Sequence, residues 1–136
     1  MYRPHSFATV LFGAAIGLGA AMPAQVQGRT DQPVVIGGDP LLDACGSIAE
    51  VVNLRDDGDG FLSVRAGPGT GYQRLDTLVN GDRVLVCTGR GRWLGVVYSK
   101  SGADCGVTTP WPEAVPYTGP CRSGWVHRNW LRIIAG

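Results

Sequence analysis

Apolar and polar positions alternate over short distances along most of this chain, and the alternation predicts strands. "AEVVNL" (49–54) reads as a first strand, "FLSVRA" (61–66) places Leu62 and Val64 on one face, and "RVLVC" (83–87) sets Val84 and Val86 opposite Leu85. "RWLGVVY" (92–98) follows the turn "TGRG", and "SGWVH" (123–127) and "LRIIA" (131–135) complete the series. No window of about twelve residues carries helical spacing strong enough to compete. Short strands separated by glycine turns predict an all-β domain. Closure into a small barrel of about five or six strands would remove the free edges that so small an open sheet presents.

The start of the chain breaks this pattern. One cation, Arg3, precedes an uncharged apolar run from Phe7 to Met22, and small and polar residues follow. These are the three regions of a secretory signal peptide, and the run is short for a membrane span and rich in Gly and Ala. Residues 1–24 are therefore expected to be a leader, cut between Ala21 and Gly28. Residues 25–43, "QVQGRTDQPVVIGGDPLLD", mix Pro, Gly and polar residues without sustained periodicity and read as a flexible tether that becomes ordered near Cys45. The remaining domain, 44–136, belongs to a mature chain of about 110 residues, enough for one limited core. No later segment is apolar enough to span a membrane. The expected location is secreted or periplasmic.

Charge narrows the partners. The chain has 12 Lys and Arg against 11 Asp and Glu, and loss of the leader removes Arg3, leaving a net charge near zero. Such a balance offers no strong field to nucleic acid or to an anionic membrane surface. Neither is expected as a partner.

All four cysteines, Cys45, Cys87, Cys105 and Cys121, follow the leader, and an even number in a short exported chain predicts two disulfides. Three pairings are possible. Cys105 with Cys121 is favoured because the two bracket a loop rich in turn residues, and Cys45 with Cys87 would tie the approach segment to a strand. A zinc site would require paired spacing such as C-x-x-C, which is missing, and His127 is the one histidine after the leader.

The stretch "DGDGFLSVRAGPGTGYQRLDTL" (57–78) superficially offers two ligand motifs. Setting Gly60 at the sixth position of a calcium loop puts Arg55 at the first ligand position and Ala66 at the last, a cation and a methyl group where oxygen ligands are needed. A phosphate loop needs lysine after its final glycine, where this chain has Tyr72. Both readings reduce to glycine-rich turns. No metal and no cofactor is expected.

The same stretch has a different likeness. "LSVRAGPGTGYQRLDTLVNGDRVLV", then "GRWLGVVY" and "SGWVHRNWL", resemble the bacterial SH3-type domain over residues of about 48–134. The matching positions are Leu62, Val64, Arg65, Gly67, Pro68, Tyr72, Leu75, Leu78, Gly81, Val84 and Val86, followed by Trp93 and "GWV" at 124–126. The resemblance implies an SH3-like barrel that serves as a recognition module, often for cell-wall peptide or glycan or for a protein partner. On this reading Gly67 and Gly69 permit positive φ in a wide loop, and Asn80-Gly81 makes a tight reversal.

One departure from the family pattern is large. Family members usually join the tryptophan strand to the "GWV" strand by a short hairpin, whereas here "SKSGADCGVTTPWPEAVPYTGPCR" intervenes. Loops of such length are usually functional or disordered. This insertion, 99–121, has four prolines and a disulfide at its base, so it is read either as a lid on a small core or as a loop presenting Trp111 and Tyr117 to a partner.

No catalytic residue is expected. The cysteines are oxidised, and His127 has neither a nucleophile nor a paired carboxylate in recognisable spacing. Asp56, Asp57 and Asp59 crowd a glycine turn and read as solvated. Binding candidates are instead Tyr72 at the end of the wide loop, Trp93, and Tyr98 before the insertion. His127 and Trp130, beside Asn129 in the last turn, and the insertion aromatics complete them, since a recognition pocket combines aromatic walls with a few polar groups. Trp125 reads as core, and Arg65 either pins the loop through a carboxylate such as Asp76 or contacts an anionic ligand. The sequence thus predicts an exported, non-enzymatic binding module for a cell-wall component or an envelope protein. The alternative is a small cell-wall hydrolase or an inhibitor of one.

Overall fold

The computed structural model describes residues 10, 12–21, 29–57 and 60–136. Val10 and residues 12–21 of the apolar run form neither helix nor strand and are exposed; the rest of the expected leader, with its cut window beyond Ala21, lies outside the described residues. No helix among the described residues is long and apolar enough to cross a membrane.

The domain is all-β. Two short strands come first, β1 (Val35–Ile36) and β2 (Asp39–Asp43), then β3 (Ser47–Val51), β4 (Leu62–Arg65), β5 (Arg74–Leu78), β6 (Arg83–Arg90) and β7 (Trp93–Tyr98). Within the insertion lie β8 (Pro110–Trp111) and β9 (Val115–Pro116), and β10 (Arg122–His127), a single 3₁₀ turn (Arg128–Trp130) and β11 (Leu131–Ala135) close the chain. Seven strands form one antiparallel sheet in the order β11-β3-β6-β7-β10-β4-β5. The six expected strands are present with small shifts of boundary. β5 is additional, because "RLDTL" has only Leu78 buried and so carries no alternation.

The expected barrel closure is corrected by the pairing. β11 and β5 stand at opposite ends of the ladder and do not pair, so hydrogen bonding leaves the sheet open. The sheet nevertheless curls, since Ala49 and Val51 from β3 share one buried cluster with Leu62, Val64 and Leu78 from β4 and β5. Val84, Val96, Tyr98 and Val126 complete that cluster. The edges at β11 and β5 stay unpaired, while the other face of the sheet is covered by a separate layer.

Side chains alternate across a strand, so Val97 and Trp125 point away from the first cluster. They enter a second one with Val34, Ile36, Cys45, Cys105, Val107 and Tyr117. Its outer layer is two ribbons, β1 paired with β9 and β2 paired with β8. Further backbone bonds run beside them: the Tyr117 N–H donates to the Val34 carbonyl at 2.9 Å, and the Cys45 N–H to the Val107 carbonyl at 3.0 Å. The segment expected to be a tether is therefore anchored at Gln32, Val34 and Ile36, the last two each 1% exposed, and is paired but exposed over Asp39–Asp43. Its two-residue alternation is too short to read as a strand, and its partner lies in the insertion, far away in sequence. Gly95 shows how close the layers come, since a Cβ there would lie 2.6 Å from Thr88 Cγ2 and 3.0 Å from Val34 Cγ1.

Both favoured disulfides are present, Cys45–Cys87 and Cys105–Cys121. The first fastens the N-terminal segment to β6 and the second closes the insertion on itself. Disulfides of this kind belong to an oxidising environment. In the chain-entropy model a bridge across a loop of about 15 residues contributes roughly 3 kcal/mol, which for a domain of this size is a large share of the total.

The ends of the insertion are clamped at Asp76. Lys100 Nζ reaches its Oδ1 at 2.9 Å, while Arg122 Nη1 and the Tyr98 hydroxyl reach Oδ2 at 2.9 and 2.7 Å. The Thr77 N–H donates as well. Burial pushes the Asp76 carboxyl up, but these donors outweigh it and hold it well below the usual carboxylate range. Burial, with the Asp76 hydrogen bond and charge, raises the Tyr98 phenol above its ordinary value. A carboxylate lowered in the folded state stabilises above its unfolded pKa of about 3.9 and loses that contribution as pH falls further. Asp76→Asn should accordingly cost about 2 kcal/mol at neutral pH, discounted for the exposure of Lys100 and Arg122. Urea melts at neutral pH and near pH 3 should show the gap between variant and wild type closing in acid.

Candidate functional site

The ribbon layer covers its face of the sheet only as far as Trp125, and beyond it the face lies open as a groove of about 590 Å³. Trp93 on β7 and His127 on β10 are cross-strand partners, and both line it. Their rings meet edge to face, with centroids 5.4 Å apart and planes at 78°. On β4 the outward positions are Ser63 and Arg65, with Arg65 opposite Trp125, and both line the groove too. Phe61 and Leu54 add apolar wall, Arg74 lies over the Phe61 ring at 5.0 Å, and Trp130 forms the far rim.

His127 has a second task. It caps the 3₁₀ turn, its Nδ1 accepting from the Asn129 N–H at 3.2 Å. In the neutral imidazole this leaves the proton on Nε2, a donor available beside the Trp93 ring. The cap also sets the turn that carries Trp130, which is 37% exposed. Three of the expected binding residues, Trp93, His127 and Trp130, thus converge.

The other four do not join them. Tyr98 and Tyr117 are buried, at 3% and 7% exposure, and cannot meet a partner. The Tyr98 hydroxyl is spent on Asp76, and that of Tyr117 donates to the Cys105 carbonyl at 3.0 Å and accepts from the Cys121 N–H at 3.1 Å. Tyr117 therefore fills the disulfide-closed loop from within, as the lid reading of the insertion requires and not as the binding-loop reading does. Tyr72 packs its ring on Gly67, receives a bond from Gln32 Nε2 at 2.9 Å, and lies 5.3 Å beneath the Arg29 guanidinium. It fastens the N-terminal segment to the wide loop. Trp111 is half-buried with its Nε1 donating to the Gly106 carbonyl, and it borders a separate shallow cleft with Pro110, Pro112, Glu113 and Val115.

Two roles in the wide loop change as well. Neither Gly67 nor Gly69 has positive φ, and Gly67 is required instead because a Cβ would collide with the Tyr72 ring. The reversal at Val79–Asp82 does use Gly81, at φ 91°, with the Asp82 N–H donating to the Val79 carbonyl at 3.0 Å. Arg65 pins the loop, but through the Tyr72 carbonyl at 3.0 Å, because Asp76 is occupied by Lys100, Tyr98 and Arg122.

The acidic turn contributes less than its composition suggests. Asp57 lines the groove, yet both of its oxygens are taken by Arg55 at 3.1 Å, and Asp59 lies outside the described residues. Sequence reasoning did not bring Phe61 and Ser63 to the site. Their signal was the phase of "FLSVR": once Leu62 and Val64 face the core, Phe61, Ser63 and Arg65 share the other side. An open trough with aromatic walls, a ring N–H and a guanidinium can hold a flat or extended ligand by stacking and a few directed hydrogen bonds. No protein-family model, no curated protein and no solved structure matches this chain.

Proposed function

We propose that this chain is an exported, non-enzymatic binding module, an elaborated relative of the bacterial SH3-type domain, whose groove takes a cell-wall component. The observation that carries the reading is the convergence of Trp93, His127 and Trp130 at the one end of the sheet face that the ribbons leave open. Rigid aromatic walls bind at small entropic cost, as recognition surfaces require. The likeness in "LSVRAGPGTGY" and "SGWV" supports the family, and the two disulfides support an exported location. The insertion serves the fold, with Tyr117 inside it, which leaves the groove as the recognition surface.

Co-sedimentation with purified cell walls tests this. The full chain should pellet with the walls and release no soluble fragments, and Trp93→Ala or Trp130→Ala should weaken binding about tenfold or more, equivalent to about 1.4 kcal/mol. Trp111→Ala should bind as wild type. Release of fragments would instead favour a hydrolase, and failure of the chain to pellet would favour a soluble envelope protein as the partner.

A further inference from the structure

Arg65 has hydrogen-bonding capacity that the fold does not use. Its guanidinium is half-buried on the groove face of β4, and Nη1 alone is engaged, on the Tyr72 carbonyl. A guanidinium carries five N–H donors, so most of them remain for a ligand. Arg65 has no ion-pair partner among the described residues, whose bridges are Arg55–Asp57, Lys100–Asp76, Arg122–Asp76 and Arg132–Glu50. Asp57, the acid that lines the groove, is held by Arg55 with both oxygens. Ser63 and Thr70 border the same space.

We propose that Arg65 is the carboxylate-binding residue of the groove, so that the ligand carries a carboxylate beside a flat or apolar group. The planar fork of arginine matches the two oxygens of a carboxylate, and a half-buried guanidinium forms such a pair more readily than a hydrated lysine. Of the two arginines that line the groove, Arg65 is the one that no carboxylate among the described residues claims, so the ligand it fits carries a negative charge. The Ser63 and Thr70 hydroxyls flank the carboxylate, while the flat group stacks on Trp93 and Trp130. This inference rests on the binding reading and adds the ligand's charge to it.

The test uses the full chain and soluble cell-wall fragments in matched pairs, carboxylates free or converted to methylamides. Quenching of tryptophan fluorescence reports binding, since Trp93 and Trp130 line the groove. A fragment bearing peptide stems and a peptide-free glycan form the two arms, so the arm that loses affinity on amidation identifies whether peptide or sugar carries the carboxylate. Amidation should weaken binding to wild type about tenfold or more. Arg65→Gln, which retains an amide donor for the Tyr72 carbonyl, should bind the free fragment as weakly as wild type binds the amidated one and should be insensitive to amidation. Equal affinity of wild type for free and amidated fragments overturns the carboxylate and leaves the binding module standing. Absence of binding to every fragment overturns both. Should Arg65→Gln fail to fold, the wild-type comparison still decides.

Discussion

Trp125→Ala is expected to remove half or more of the domain's stability. The indole is 2% exposed in the cluster between sheet and ribbons, and its Nε1 donates to the Gln32 carbonyl at 2.7 Å. The Arg90 guanidinium lies over the ring at 5.7 Å. Removing so large a buried ring costs about 3–5 kcal/mol, and the orphaned Gln32 carbonyl adds about 1 kcal/mol. A domain of this size has on the order of 5–10 kcal/mol in total. Urea or thermal unfolding measures the effect directly; a loss below about 1 kcal/mol would mean that the ribbon layer does not rest on this ring. Trp125→Phe, which keeps a ring and loses the bond, should fall between variant and wild type.

Tyr117→Ala should be nearly as damaging, at about 3–4 kcal/mol. Its ring belongs to the same cluster, and its hydroxyl joins the Cys105 carbonyl to the Cys121 N–H, so the disulfide-closed loop is organised around it. Tyr117→Phe removes the hydroxyl alone and should cost about 1–2 kcal/mol, because the buried Cys105 carbonyl and the part-buried Cys121 N–H lose their partner. Trp111→Ala should cost about 1 kcal/mol or less, the ring being half-exposed with one hydrogen bond. Equal melting temperatures for Tyr117→Ala and wild type would sink this account and return Tyr117 to the surface. The comparison also separates the two roles open to the insertion, since a binding loop would tolerate both changes.

The consequences for function follow from the covering layer. Because residues of β1, β8 and β9 pack over Val97 and Trp125, the open part of that face among the described residues lies beyond them, at Trp93, His127, Ser63 and Arg65. A variant that loosens the ribbons would enlarge the opening as well as destabilise the domain. Under the binding reading proposed above, stability and recognition meet at Trp125, the boundary between covered and open halves.

The sequence by itself determined the local elements and the covalent frame. Alternation in "FLSVRA", "RVLVC" and "SGWVH" is a property of neighbouring residues, so these strands were legible without partners, as were the Gly81 reversal and the expectation of two disulfides, whose pairing was favoured among three and decided by the structure. Only the tertiary structure decided what covers the second face. Val34 and Ile36 alternate over too few residues to announce a strand, and they become ordered by pairing with Val115–Pro116, about 80 residues away. That same long-range pairing turned Tyr117 inward and left Trp111 half outside, although the two look alike in a proline-rich loop. Aromatic composition marks residues able either to fill a core or to meet a ligand, and which one occurs depends on neighbours distant in the chain. Arg65 shows the point most directly: its charge was visible in the sequence, but that it is not paired with Asp76 depends on Asp76 being claimed by Lys100, Tyr98 and Arg122.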